Sequence, residues 1–302
     1  MPIGCSTQKD KPPAPVTRTC CMLTADFHPI REQSDVTSYT FGGGVTGVMY
    51  TCNGGFLDFG HLFDYVDMTL YYHHFLTKGE ANVPGKTIPL YHNGGKVTIK
   101  QAIPAADRAT TAASIAFDFS VFYEIMTYWV SGAGAHNSAF SPEDLVSNYI
   151  GARIAERALK TPGKKFDDAV NDELKSVLPL LQPRTRAETR AAFTAINGVW
   201  VTDAFSDFAL MDDDYLKRRN FGFSAISPCF VSGTGIGCSG APAFPGALGT
   251  GFPANVRGYY DAEYVVEKGA AKAKLGSKVT RGSFASLIAA IAADPGAGTA
   301  CP

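Results

Sequence analysis

Two long segments of this chain are apolar on every side yet carry ionisable groups, and that combination restricts its possible folds more than any other feature. The first, GGFLDFGHLFDYVDMTLYYHHF (residues 54–75), sets Asp58, His61 and Asp64 at three-residue steps inside a nearly unbroken apolar run. At about 100° per residue, Phe59, Leu62, Phe63, Val66 and Leu70 form one face, and the three polar residues lie opposite. Leu57, Met68 and Phe75 share the polar side, so a helix over roughly 56–76 is predicted to be buried for much of its length. The second segment, IAFDFSVFYEIMTYWV, has Glu124 as the one acidic or basic group of its last three turns, with Ser120, Thr127 and Tyr128 at helical neighbour spacing. Buried carboxylates and imidazoles need partners, because an unpaired charge in an apolar interior is strongly unfavourable. No Lys or Arg follows Arg108 in that helix, so the compensating charge must be His61, Arg153 or a divalent metal. The stripe is therefore either a core hydrogen-bond network or a metal or proton-transfer site.

A third segment, SPEDLVSNYIGARIAERAL, reads as a helix with Ser141 as N-cap, Pro142 at the first helical position, and Glu143 and Asp144 in the first turn. Acids there complement the helix dipole, which alone would account for them. Across three helices the inventory is Asp58, His61, Glu124, Glu143 and Asp144, a donor set suited to zinc, iron or manganese.

The remaining segments surround these helices. TSYTFGGGVTGVMYTC reads as strands around a glycine turn, and GKTIPLYHNGGKVTIKQAI as a hairpin turning at NGG. A helix is predicted from Pro104 to Val130, others at KFDDAVNDELKSVLPLL, TRAETRAAFTAIN and SFASLIAAIAA, and long ordered loops over about 203–253. The expected fold is mainly α with a small β element (α+β): a single globular domain over 20–302, built on buried helices and preceded by a Pro-rich tether over 1–19.

Charge excludes some functions. With 18% charged residues and a net charge of −1 there is no field to hold a phosphate backbone, so nucleic acid is not an expected partner. No apolar run is long enough to span a bilayer as a helix. PIGCST resembles the end of a bacterial lipoprotein signal, although Pro2 stands where Leu is usual; it implies a lipid anchor at Cys5 as the only membrane contact. Setting Cys5 aside, the other six of seven cysteines suit an oxidising compartment, with Cys229 and Cys238 expected to pair across FVSGTGIG. Cys52, nine residues before His61, is a second candidate as a thiol nucleophile. SGTGIGCSG lacks the context for phosphate binding and reads as a turn. In YLKRRN, beside the acidic MDDD, Arg218 and Arg219 are candidates to clamp an anionic substrate group. His28, His73, His74, His92 and His136 read as ordinary surface or core histidines.

VMYTCNGGFLDFGHLFDYVDMT, FYEIMTYW, FSPEDLVSNYIGARIAERAL, ETRAAF and LKRRNF, in that order over about residues 45–240, resemble a family of bacterial secreted proteins catalogued only as a domain of unknown function (DUF4056). The resemblance implies a bacterial, exported or lipoprotein origin and brings no established activity with it. A narrower one is to thermolysin-like zinc peptidases, where YEIMT followed by EDLVSNYIG implies Glu124 as general base and Asp144 as third zinc ligand, with Ser147, Asn148 and Gly151 at matching places. Tyr123 and Thr127 stand where that family has its histidine ligands, so His61 and Asp58 would have to replace them. The expectation is a metal-dependent hydrolase of an amide or ester bond in the bacterial envelope or exterior, with Asp58, His61, Glu124, Glu143 and Asp144 around zinc and Glu124 as base. The alternatives are an iron or manganese oxidoreductase and a non-catalytic envelope lipoprotein with a buried polar network.

Overall fold

The computed structural model describes residue 15 and residues 29–36, 38–78, 81–91, 95–129, 135–205, 215–266 and 269–301. Cys5, Cys20, Cys21, His28, His92, the MDDD run and, apart from residue 15, the predicted tether lie outside the described residues.

The chain folds as the α+β architecture predicted. An antiparallel hairpin, β1 (Val48–Thr51) and β2 (Gly55–Asp58), pairs Met49 with Leu57 and leads straight into α1 (Phe59–Thr77). The predicted helix therefore begins three residues late, because Asp58 closes the hairpin and caps the helix: its carboxylate accepts from the N–H groups of Gly60 (2.6 Å) and His61 (3.3 Å). β3 (Thr87–Pro89) and β4 (Lys96–Ile99) form the second predicted hairpin. α2 (Arg108–Trp129) follows a single turn begun by Pro104, and a short α3 (Ala135–Ser138) leads to α4 (Asp144–Leu159).

α4 departs from expectation at its start. Ser141 does not cap it; its hydroxyl donates to both oxygens of the Glu143 carboxylate at 2.7 Å, and its carbonyl accepts the Asp144 N–H in a separate turn. α1, α2 and α4 pack against one another as the central layer, with α1 and α2 apolar nearly all round. Gly151 permits the closest approach, since a Cβ on it would lie 2.0 Å from the Leu62 carbonyl oxygen.

α5 (Phe166–Leu181) buries a single stripe of Val170, Leu174, Val177, Leu178 and Leu181 and covers α4. α6 (Arg186–Ile196) starts at a capping box between Thr185 and Glu188 and packs Phe193 on Phe56 of the hairpin. After β5 (Arg218–Arg219) and a long loop region, α7 (Ala254–Arg257), β6 (Tyr260–Val265), α8 (Gly269–Leu275), β7 (Lys278–Thr280) and α9 (Phe284–Ala292) complete a sheet in the order β3-β4-β6-β7. Alternate residues of β6 face inward, and Tyr264 stacks on Phe122 of α2 with ring centroids 4.4 Å apart. β8 (Thr299–Ala300) returns to pair in parallel with β5.

Among the described residues the disulfides are Cys52–Cys238 and Cys229–Cys301, which corrects the expected Cys229–Cys238 pair. Residues between those two cysteines run along β1, where the Tyr50 hydroxyl accepts from the Val231 N–H at 2.8 Å, and this anchorage delivers the two ends to different partners. Cys52 is consequently oxidised rather than a free nucleophile. Among the described residues no helix is long and apolar enough to cross a membrane.

Candidate functional site

The start of α1, the last turns of α2 and the start of α4 meet at one point, and the five predicted ligands are all found there. Asp58, His61, Glu124, Glu143 and Asp144 are each at most 6% exposed. His61 Nε2 lies 3.1 Å from Asp144 Oδ1. Glu124 is in hydrogen-bonding reach of Asp144 and accepts the Phe140 N–H at 2.7 Å. Ser147 Oγ accepts the Asp58 N–H at 2.9 Å, fastening α4 to the first turn of α1. Two of the five are already engaged in holding the backbone or each other's neighbours: Asp58 caps α1, and Glu143 is bound by Ser141. The chemically available core is His61, Glu124 and Asp144.

Several buried polar atoms here make no hydrogen bond among the described residues, namely both side-chain atoms of Asn148 and Ser120 Oγ, whereas His61 Nε2 and Asp144 Oδ1 face each other as an ion pair. Asn148 is one turn beyond Asp144 on α4, and Ser120 one turn before Glu124 on α2, so each shares a helix face with a site carboxylate. Buried polar atoms are normally satisfied, and their concentration at one spot sets it apart.

Negative charge is in excess. Burial, reinforced by the Asp144 charge and opposed by His61, pushes the Glu124 carboxyl from 4.5 up to about 8. Burial and Asp144 likewise raise Glu143, against the pull of Ser141. For His61 burial opposes the charged form, but Asp144, Asp58 and Glu124 outweigh it and hold the imidazole well above 6.5. Both His61 and Glu124 thus carry a proton in the folded chain that the unfolded chain would release earlier. Stability therefore falls as pH rises, from about 4.5 through 8 for Glu124 and from 6.5 upward for His61. On the acid side, backbone and arginine contacts hold Asp35 and Glu188 below the usual range, so stability is lost there too. The thermal midpoint should peak near about pH 5–6 and drop toward about pH 8.5, with a flatter decline in Glu124→Gln; a midpoint rising over that interval would contradict these assignments.

The remaining predicted residues are placed differently. Arg218 and Arg219 occupy successive positions of β5 and so face opposite ways. Arg218 reaches the Ala300 carbonyl at 3.1 Å on the exposed side. Arg219 is fully buried, donates to the carbonyls of Ala297 (2.9 Å) and Ala139, and stacks over the Tyr128 ring, so the pair is not a joint surface clamp. It is also the arginine whose charge bears on Glu124 and Asp144. Arg153, expected there, instead pairs with Glu156 on its own helix. Tyr123, 41% exposed, responds to the charges of Glu124, Asp144 and Asp64 and marks the solvent side of the cluster.

Phe140 and Asn220 escape any reading by residue type. Phe140 has φ 57°, a conformation bulky residues seldom adopt, and its carbonyl accepts the Asn220 N–H at 2.8 Å. A cleft lined by Tyr50, Cys52, Asn53, Val231, Ile236 and Cys238 contains none of the candidate ligands. Among the described residues no three His, Cys, Asp or Glu side chains stand gathered at ligand spacing.

The chain has no match among curated proteins or solved structures. A family model described as "Protein of unknown function (DUF4056)" matches residues 30–221, which include α1, α2, α4 and every candidate ligand. With well over half its length in that match, the chain belongs to the DUF4056 family.

Proposed function

We propose that this protein is a metal-dependent hydrolase of an amide or ester bond, with His61 and Asp144 as the principal ligands of a divalent cation and Glu124 as the base beside it. The observation that carries the reading is the convergence of an imidazole and two carboxyls in one buried, proton-retaining cluster, with the unsatisfied side chains of Asn148 and Ser120 beside it. A pocket that draws protons to relieve excess negative charge offers the same relief to a cation. Imidazole and carboxylate donors suit zinc first, with iron or manganese as the other candidates. His61, Glu124 and Asp144 would come to ligand spacing by side-chain rotation that exchanges the His61–Asp144 ion pair for bonds to the cation.

A bound cation of this kind supplies Lewis acidity and an acidified water. The chain's own part is to orient and to move a proton. Asp58 and Ser147 fix the first turn of α1 and with it His61, and the Phe140 N–H holds Glu124 on one side. Positive charge beside Glu124 brings its carboxyl down into the range of a base at neutral pH. Disulfides support an oxidising location, the bacterial envelope or exterior, with membrane attachment confined to a lipid on Cys5.

Protein purified without chelator should contain close to one zinc per chain. His61→Ala should lose it and Glu124→Gln should lose metal or activity, each while remaining folded. Because His61 and Glu124 hold protons in the free site, loading zinc should release protons and should be far weaker near about pH 6 than near about pH 8.5. A wild-type chain that takes up neither zinc nor iron when offered would overturn the reading and leave a buried polar network whose removal affects stability alone.

A further inference from the structure

Arg219 is a fully buried cation whose named partners are two backbone carbonyls rather than a carboxylate. One of them, Ala139 C=O, belongs to the same peptide group as the Phe140 N–H that grips Glu124. The chain contains no cis peptide among its described residues, so the two ends of that group point in opposite directions, with Arg219 at one and Glu124 at the other. The next residue, Asn220, just past the strand, donates its N–H to the Phe140 carbonyl at 2.8 Å. Consecutive residues thus clamp both sides of a turn whose Phe140 is held at φ 57°.

We propose that Arg219 is a positioning residue for Glu124, acting through the Ala139–Phe140 peptide: its guanidinium fixes and polarises the group whose N–H holds the carboxylate. The inference rests on the reading of Glu124 as the base of the site. The physical basis is that hydrogen bonds in series strengthen one another in a low-dielectric interior, and a charged donor is the strongest terminus such a series can have. Arg219 also helps retain a strained, non-glycine turn, since its loss would remove the one charged donor that holds the Ala139 carbonyl. The guanidinium lies beyond the peptide, so it acts through that group in addition to the direct pull of its charge on Glu124 and Asp144.

The test uses full-length protein labelled with carbonyl-13C alanine and 15N phenylalanine, at one fixed pH. Only Ala–Phe peptides give correlations, and the sequence has five, ending at Phe117, Phe140, Phe193, Phe205 and Phe244. Glu124→Gln identifies the Phe140 signal by moving its amide proton upfield. Arg219→Gln should move the Ala139 carbonyl upfield and carry the Phe140 proton upfield with it, while the other four signals stay in place as a check on folding. Arg219→Lys should restore part of both shifts. If Arg219→Gln fails to fold, the coupling is read from the other end, where Glu124→Gln should also displace the Ala139 carbonyl. A Phe140 proton unmoved by Arg219→Gln, or an Ala139 carbonyl unmoved by Glu124→Gln, overturns the proposal. Zinc added to wild-type protein separates the two ideas: coupling without zinc uptake sinks the metal reading alone, and uptake without coupling sinks this one alone.

Discussion

Gly151→Ala should destabilise the protein by about 4 kcal/mol or more, the upper range for a single substitution. In an open helix the same change would stabilise by about 1 kcal/mol, because alanine is the better helix former, so the sign itself is diagnostic. The cause is contact between backbones: the added Cβ would sit 2.0 Å from the Leu62 carbonyl oxygen, 2.9 Å from its carbon and 3.2 Å from its Cα. A flexible side chain could swing away, whereas a helix backbone must translate as a unit. Moving α1 off α4 also parts His61 from Asp144, so any metal uptake should fall together with stability. Urea unfolding monitored by circular dichroism measures the first effect, and Gly246→Ala, whose Cβ would meet nothing within 4 Å, is the matched control expected to stay within about 0.5 kcal/mol. A Gly151→Ala protein as stable as the control would mean that α1 and α4 do not approach as closely as described.

Opening the Cys52–Cys238 bridge is the second large effect. The bond joins residues 186 apart, and closing so long a loop in the unfolded chain accounts for about 3–5 kcal/mol in the chain-entropy view. Cys229–Cys301 closes a separation of 72 and should contribute slightly less. The Cys52→Ser, Cys238→Ser double variant should therefore shift the urea midpoint strongly downward, and excess dithiothreitol on the wild type should shift it further. Cys238 lies on the exposed loop while Cys52 and Cys229 are buried, so mild reductant should open the first bridge before the second. Mass spectrometry of alkylated peptides follows the order. Full reduction with an unchanged midpoint would show that neither bond carries the fold.

The helical centre and its charged residues were legible because burial and ionisation conflict wherever they occur: no packing argument leaves Glu124 or His61 alone in an apolar helix, so their convergence follows from need. The same logic applied to Asp67 and Asp118, which the pattern concealed among more obvious acids. Asp67 is bonded by the Tyr39 hydroxyl, and Asp118 by Tyr260 and Arg281, partners that are distant in sequence. Disulfide pairing was not legible, since proximity along the chain says little once a loop is pinned to a strand at its middle. Arg219 was singled out for its charge, but its burial depends on a two-residue strand whose alternation is too short to leave a pattern. Phe140 gave no sign at all: its contribution is a backbone angle, and a phenylalanine is the last residue type to suggest one.

The pairing of β5 with β8 also has a bearing on the order of events as the chain is made. Arg219 needs the Ala297 carbonyl, 78 residues later, and the Cys301 N–H returns to the Arg219 carbonyl at 3.1 Å. A nascent chain therefore has its three central helices, with His61 and Asp144, in place before the residues that brace Glu124 from behind have been made. Until residues 297–301 are present, the cluster around Glu124 lacks its finished support. Maturation of the site is thus a late step, timed by arrival of a distant segment and sealed when Cys229 is oxidised to Cys301.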